Sequence, residues 1–411
     1  MTIIDELKRR KILNNVSNLD KFNKLDPKTI GVYVGFDPSA DSLHLGNYIL
    51  ISILKRFAQF GYKAYALIGG ATGMIGDPSF RDTERVLLDK EQVIKNKNKI
   101  KKQLESFGLT VIDNLDFYKD VSILDFLKDT GKLVNINYMI AKDSVKSRLE
   151  RGLSFTEFTY QLLQGNDFLK LYQNKNICIQ VGGSDQWGNI TTGLDMISKV
   201  VGDDHKAVAV TVNLLTDENG KKIGKSYGGG ALWIDKEKTS PYNMYQYLVN
   251  QPDSKVQELL NWLTFISVDE INAIMEKHNL NPANHYAQKM LADLVVKDLY
   301  GAEELKQAQN ITNILFHKNF DFKSLNVSDL KIIEKYLPTC KITKGSKLVE
   351  TLIQNNFIQS NREAREMIGT NALKVDDVAI TLDSTYEPTN FDGRYAFFKK
   401  GKKQTILLKT I

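Results

Sequence analysis

Residues 29–68 read TIGVYVGFDPSADSLHLGNYILISILKRFAQFGYKAYALI, and this stretch decides the fold. Thr29–Phe36 is a short apolar run rich in Val and Ile, the pattern of a buried strand. After a turn containing Pro38, apolar residues recur at three and four spacing over Leu45–Phe60, which predicts a helix. Lys63–Ile68 reads as the next strand. Strand, helix and strand joined by short turns predict a βαβ unit in a parallel sheet. A glycine-rich turn, Gly69–Gly76, follows. Glu84–Phe107 reads as a polar, charge-laced helix, and Asn176–Val181 and Ala207–Leu214 as later strands of the same sheet. From Pro241 onward strand signals vanish. Tyr242–Leu263, Val268–His278 and Asn284–Leu305 read as helices, punctuated by Pro282 and Gly301. Asn319–Lys344 is mixed in character and reads as a linker. The last part holds two short helices and the period-two segments Ala372–Val375, Tyr395–Phe398 and Thr405–Leu408.

The 411 residues suggest two to four domains. The 42% hydrophobic and 25% charged shares are those of a folded globular chain. No run of about 18 apolar residues occurs, which excludes a membrane-spanning helix. The basic cluster Lys8-Arg9-Arg10-Lys11 has no apolar core after it, which argues against a secretory signal peptide. Two cysteines, Cys178 and Cys340, cannot build a disulfide scaffold or a zinc site and fit a reducing cytoplasm. The five histidines are far apart in sequence, so no metal site is expected. Two glycosylation-like triplets, at Asn15 and Asn189, are set aside for the same cytoplasmic reason. The net charge of +6 is unevenly placed: residues 338–411 hold 12 Lys and Arg against 8 Asp and Glu. Such a basic tail suits either a nucleic-acid binder or a solvated module.

Two motifs carry chemistry. In Gly35-Phe36-Asp37-Pro38-Ser39 through His44-Leu45-Gly46-Asn47, a histidine and a glycine stand at the start of a helix that follows a buried strand. Helix N-termini favour anions, and open α/β sheets bind ligands at strand carboxyl ends. His44 could donate to a phosphate oxygen; it could equally be a capped helix start with a surface histidine. The second motif, Lys222-Ile223-Gly224-Lys225-Ser226, puts two lysines and a hydroxyl on a loop that could close over a polyphosphate. By itself that pattern also suits a solvated basic hairpin. Gly70, Gly73 and Gly76 lack the dinucleotide-binding spacing and read as a backbone wall ending at Asp77.

With both motifs in hand, the chain resembles a class I aminoacyl-tRNA synthetase, specifically the bacterial-type tyrosyl-tRNA synthetases. His44-Leu45-Gly46-Asn47 corresponds to the family's HIGH motif and residues 222–226 to its KMSKS motif. The blocks YVGFDPSADSLHLGN, GGATGMIGDPS (69–79), SFTEFTYQLLQGNDF (154–168) and GGSDQWGNIT (182–191) resemble that family's blocks in order, over essentially the whole chain. Two positions depart from the generic motifs: Asn47 stands where the first has histidine, leaving hydrogen bonding but no acid at that position, and Gly224 replaces a serine.

The resemblance implies a Rossmann-type α/β catalytic domain, an all-helical domain and a small α+β C-terminal domain similar to the S4 RNA-binding fold. The implied boundaries are 1–217 for the catalytic domain with its dimer-forming insertion, 218–239 for the loop and connector, 240–318 for the helical domain, 319–344 for the linker and 345–411 for the S4-like domain. It implies activation of tyrosine by ATP with Mg2+, then transfer to tRNA(Tyr), by a cytoplasmic homodimer with no membrane attachment. A carboxylate nucleophile needs no general base, so positioning and charge stabilisation suffice. Ser39 and His44 would contact the γ-phosphate side. Lys222, Lys225 and Ser226 would close over pyrophosphate with Arg81 and Arg85. Gly35, Asp37, Gly46, Asn47, Gly183 and Asp185 would contact the nucleotide. Tyr33 and Asp167 would bond the substrate phenol, and Asp77, Tyr160, Gln164 and Gln180 its ammonium. Buried polar groups left unpaired by phenylalanine would reject it, an effect for which enzymes of this family are the established example. Ordinary core packing is the alternative reading of Tyr33 and Tyr160. Arg362, Arg365, Lys399, Lys400, Lys402 and Lys403 would hold RNA phosphates. A non-catalytic RNA-binding relative and a tryptophan-specific enzyme are the rival functions.

Overall fold

In the computed structural model, β1 (Leu13–Val16), β2 (Gly31–Phe36), β3 (Lys63–Ile68), β4 (Thr110–Asp113), β5 (Ile177–Gly183) and β6 (Val208–Val212) form one sheet in the order β1-β6-β5-β2-β3-β4. The structure describes the chain apart from residues 80–87, 143, 144, 147, 149–151, 217, 219, 221, 222, 224–230, 317–324, 326, 402 and 403. All pairings in this sheet are parallel except β1 with β6. The βαβ reading of residues 29–68 therefore holds. Tyr33 and Leu67 lie in one buried cluster with residues of the helices Phe155–Lys175 and Trp187–Val201, among them Phe168 and Met196. Val32 and Val34, buried as well, point to the other face by the two-residue period of a strand.

The helices of this part include α1 (Ile3–Arg9), α2 (Leu19–Asn23), α3 (Leu45–Gln59), α4 (Lys90–Ser106), α5 (Phe155–Lys175), α6 (Trp187–Val201), α7 (Pro241–Val249), α8 (Asp253–Leu263), α9 (Val268–Leu280) and α10 (Tyr286–Tyr300), with shorter helical turns between α4 and α5. Several departures from the sequence expectation have local causes. The helix expected from Glu84 begins at Lys90, where the Asp89 side chain accepts from the Gln92 amide; residues 84–87 lie outside the described part. The single helix expected over Tyr242–Leu263 is two, because Pro252 has no amide to continue α7 and serves as the N-cap of α8. The helix expected over Asn284–Leu305 starts at Tyr286 and ends before Gly301, whose φ of +91° suits glycine alone.

By compactness the chain divides into Met1–Leu299 and Tyr300–Ile411. The expected boundary at 240 falls inside the first of these units, and that at 318 lies outside the described residues. The second unit holds α11 (Ala302–Phe316), α12 (Val327–Ile333), β7 (Thr339–Ile342), α13 (Leu348–Gln354), α14 (Asn361–Gly369), β8 (Leu373–Val375), β9 (Val378–Ala379), β10 (Tyr395–Lys400) and β11 (Gln404–Thr410). Its sheet runs β7-β11-β10-β8-β9, with β7 parallel to β11. The segment read as a linker thus supplies a helix and an edge strand. Cys340 and Ile342 of that strand enter the buried cluster with Phe398, Ile406 and Leu408.

Inside the first unit, α3 is bolted to α8 by buried cations. The Arg56 guanidinium donates to the carbonyls of Asn261 (3.1 Å), Trp262 (3.2 Å) and Thr264, while Arg10 donates to Asn261 (3.2 Å) and Ile266 (2.6 Å). These are carbonyls at and beyond the C-terminal end of a helix, where positive charge is favoured. Burial, with Arg10 beside it, pushes Arg56 down to about 9. On the same helix, Tyr48 donates to Asp298 at 2.6 Å, and Lys55 pairs with it at 2.6 Å. Arg56→Ala leaves three buried carbonyls short of a donor and a void between helices. The expected loss is about 3 kcal/mol in chemical denaturation; a loss below about 1 kcal/mol would show that the bolt is dispensable.

Candidate functional site

The strand order turns back between β2 and β5, and a cavity of about 310 Å³ opens at that point. This is where an open α/β sheet leaves a crevice at its strand carboxyl ends, and the size suits a small-molecule ligand. Tyr33 and Gln180 stand side by side as register partners on β2 and β5. Asp167 reaches the same end from α5. Asn114 donates to its Oδ2 at 2.9 Å and Tyr118 to its Oδ1 at 2.6 Å. Burial raises the Asp167 carboxyl to about 7; the bonds from Asn114 and Tyr118 pull it down, and the Asp37 and Asp113 carboxyls push it up. Burial, with Asp167 nearby, holds the Tyr33 phenol protonated well beyond its ordinary range.

Three oxygens here lack a hydrogen-bond partner among the described residues: Tyr33 Oη, Gln164 Oε1 and Gln180 Oε1. Buried polar atoms left in this way are costly in a folded chain and point to a polar guest. Asp77 forms the next part of the wall. Its carboxylate accepts from Gln186 (2.8 Å), Asn189 (3.4 Å) and the Ser79 amide (3.0 Å). Tyr160 donates its hydroxyl to Asp37 at 2.9 Å, and Thr72 donates to the other Asp37 oxygen at 2.8 Å. A phenol that donates to Asp37 offers a ligand only its lone pairs. Asp37 itself acts as a brace between Thr72 and Tyr160.

His44 caps the helix, as one reading of the first motif has it, and also lines the cavity. It is the N-cap of α3: its Nδ1 accepts from the Asn47 amide at 3.3 Å, and its own amide donates to the Asn47 side chain at 3.0 Å. An accepting Nδ1 places the ring proton of the neutral imidazole on Nε2. His44, Gly46 and Asn47 all line the cavity. A Cβ at Gly46 would stand 2.9 Å from the His44 ring and 3.0 Å from the Ile223 carbonyl. Glycine is required there by its protein neighbours, before any ligand is considered. Ile223, the second residue of the second motif, is buried against the cavity and donates its amide to the Leu215 carbonyl.

Gly35, Asp185 and Gly183 also line the cavity, whereas Ser39 is exposed on the loop after β2 and is not part of the lining. Of the glycine-rich turn only Gly69 lines it; Gly70 abuts Asp113 and Gly73 abuts Pro38, so the expected wall is narrower than its glycines. Arg81, Arg85, Lys222, Lys225, Ser226, Lys402 and Lys403 lie outside the described residues. The sequence reading missed Thr72, Asn114, Tyr118, Gln186 and Asn189. The first three follow β3 and β4, where residues at strand ends are candidates once the strands are known; β4 was not read. Among the described residues no group of three or more His, Cys, Asp or Glu is gathered to hold a metal, and no helix is long and apolar enough to cross a membrane.

In the second unit, Arg362 and Arg365 are exposed on α14, whose Ala364 is buried in the core. Lys400 joins them by pairing with Glu363 at 2.8 Å. Lys399 pairs with Asp377 at 2.6 Å and, as the neighbouring strand residue, takes the opposite face of the sheet. Those of the expected RNA cations that are described are therefore divided between two faces.

Between pH about 4 and 7 the folded chain keeps a proton on Asp167 that the unfolded chain, titrating near 3.8, has lost. Stability conferred by this group thus falls as pH rises through that window. Asp167→Asn removes the dependence. The melting temperature of the variant relative to the parent is expected to climb from pH 4 to 7 and level off above; a flat difference would refute the raised carboxyl.

Comparison with known proteins follows the same lines. Residues 26–317 match the family of class I tRNA synthetases (W and Y), and residues 329–408 match the tyrosine–tRNA ligase SYY-like C-terminal domain. That second match takes in α12 and β7. The chain is 65% identical to a tyrosine–tRNA ligase of Mycoplasmopsis agalactiae over 100% of both chains, and 54% identical to one of Mycoplasmopsis synoviae over 99% of both. Among solved structures it is similar to a C-terminally truncated mitochondrial tyrosyl-tRNA synthetase of Aspergillus nidulans. That likeness has a TM-score of 0.69 and 30% identity, covering 77% of this chain and 94% of the other.

Proposed function

The chain belongs to the tyrosine–tRNA ligases of the class I tRNA synthetases, and from that membership we propose how its residues activate tyrosine with ATP and pass it to tRNA(Tyr). The observation that carries the reading is the deep end of the cavity, where the partnerless Tyr33 hydroxyl stands near the buried Asp167 carboxyl. A substrate phenol accepts from Tyr33, giving it the partner it lacks, and donates to Asp167 beside the bonds from Asn114 and Tyr118. Phenylalanine gives neither, so it leaves buried polar groups unpaired. The α-ammonium has three donors, and Gln164 Oε1, Gln180 Oε1 and the oriented Asp77 carboxylate supply three acceptors. Tyr160 adds a lone pair there, its proton being held by Asp37.

The substrate carboxylate, already ionised, attacks the α-phosphate of ATP in line and pyrophosphate leaves. Mg2+ enters as part of the substrate, bound to ATP. The nucleotide lies along Gly35, Asp37, Gly46, Asn47, Gly183 and Asp185. His44 donates from Nε2 to a phosphate oxygen as charge develops, with Ser39 beside it at the γ-phosphate. We assign Lys222, Lys225 and Ser226, with Arg81 and Arg85, to the departing pyrophosphate on the strength of the sequence motif. The terminal ribose hydroxyl of tRNA then takes the tyrosyl group from the adenylate and AMP leaves.

We further infer that residues 1–217 carry activation, that 218–239 close over phosphates, and that the helices of 240–318 and residues 345–411 hold the RNA. Arg362, Arg365, Lys399, Lys400, Lys402 and Lys403 supply phosphate contacts. The exposed side chains of Ile123, Leu124, Ile136 and Phe155 support a homodimer, as apolar groups that a second copy would cover. Two buried, unpaired cysteines support a cytoplasmic site of action.

Tyrosine-dependent exchange of pyrophosphate into ATP tests the whole reading. Exchange with tyrosine and none with tryptophan is expected; the reverse would overturn the assignment, and no exchange at all would favour the non-catalytic rival. Asp167→Ala is expected to lower the preference for tyrosine over phenylalanine by at least about tenfold, and an unchanged ratio would remove Asp167 from the phenol. His44→Ala is expected to reduce kcat for exchange by about 100-fold; a change confined to KM would relocate its role to ground-state binding.

A further inference from the structure

We propose that Tyr118 is a positioning residue for substrate tyrosine, fixing the edge of the Asp167 carboxylate that the substrate phenol meets, and that Asn166 sets the direction of the Tyr118 proton. The inference rests on the reading of Asp167 given above.

The Tyr118 hydroxyl has one proton and two acceptors within reach, Asp167 Oδ1 at 2.6 Å and the Leu163 carbonyl at 3.0 Å. Asn166 donates to its oxygen at 3.3 Å and so holds a lone pair, which narrows the directions left to the proton, and the shorter contact makes Asp167 Oδ1 its acceptor. The ring is held edge-on by Phe117 and Phe126, with centroids 6.4 and 6.0 Å away, so the hydroxyl cannot swing off. Asn114 meanwhile takes Asp167 Oδ2. With one donor on each oxygen, the carboxylate plane is set, and the remaining lone pairs are the ones a phenol entering beside Tyr33 can use. Were Tyr118 absent, Oδ1 could rotate towards any donor and the phenol would meet a carboxylate of undefined orientation.

The charged and titratable groups that bear on Asp167 are Tyr33 from β2, Asp37 from the loop after it, Asp113 from the end of β4 and Tyr118 from the segment after it. Asp113 is itself paired with Lys97 at 2.6 Å. Within this set Tyr118 and Asn114 are the groups that favour the ionised carboxyl, and Asp37 and Asp113 oppose it. Removing the Tyr118 hydroxyl therefore moves the carboxyl further up, so that tyrosine binding by the ionised form sets in at higher pH.

The test uses full-length enzyme with Tyr118→Phe, and measures kcat and KM for tyrosine in pyrophosphate exchange from pH 6 to 9. The expected result is a KM for tyrosine raised about tenfold, kcat changed less than about threefold, and the rise of kcat/KM with pH shifted upward by at least about half a unit. Asn166→Leu is expected to raise KM less, and the double variant to be no worse than Tyr118→Phe, because Asn166 acts through Tyr118. A merely structural role would lower the melting temperature without moving the pH profile, and that outcome overturns the proposal, as does additivity in the double variant. Should Tyr118→Phe fail to fold, Asn166→Leu carries the same KM and pH readouts. Parent enzyme without tyrosine-dependent exchange would sink the site reading beneath this inference; normal parent exchange with an unmoved Tyr118→Phe profile sinks this inference alone.

Discussion

Two buried guanidinium groups that must find oxygen set much of this architecture. Arg56 and Arg10 have little water to hydrate them, and carbonyls at the end of α8 supply what water would have given. The consequence runs outward. With its far end held against α8 and, through Tyr48 and Lys55, against Asp298 of α10, α3 becomes a rigid member. Its near end is then free of other duties, and a capping box built from His44 and Asn47 suffices to fix it. The residues that face the cavity from α3 thus owe their placing to contacts made on the other side of the helix.

The cavity is organised around the opposite problem, a carboxyl with no counter-cation in its hydrogen-bonding shell among the described residues. Asp167 is compensated by the neutral donors Asn114 and Tyr118. Neutral compensation leaves the group near the balance point between its two protonation states. A cation would have fixed the carboxylate ionised and taken its lone pairs. Under the proposed role of Asp167, those lone pairs are the ones offered to a phenol.

How much of this was legible in the sequence depended on the kind of signal. Residues 29–68 could be read because Val-rich strands and a three-four helical rhythm alternate over short turns. Strand β1, with the sequence Leu-Asn-Asn-Val, has polar residues where alternation would be sought, and β4 is only four residues long. Both strands join through sheet pairing that local pattern cannot announce. Apolar spacing continued across Pro252 and suggested one helix, although the proline's missing amide decided for two. In the site, motif residues such as His44, Asp77 and Asp167 were legible from their blocks. Tyr118 and Asn114 were not, since they lie beyond an unread strand and meet Asp167 only through the fold, about fifty positions away in sequence. The separation of Lys399 from Lys400 follows from strand alternation, which the basic run concealed.

The volume beside Gly46 joins two stretches of chain nearly 180 positions apart. The imidazole of His44 and the carbonyl of Ile223 both crowd the spot a side chain would fill. The helix start and the lysine-bearing loop therefore share one steric allowance, with no slack to divide between them. A loop taken from another protein would have to bring a carbonyl to that point, and a bulkier helix start would have to evict it. The two motifs can drift only as a pair, and anyone refashioning this end of the cavity must treat them as a single surface.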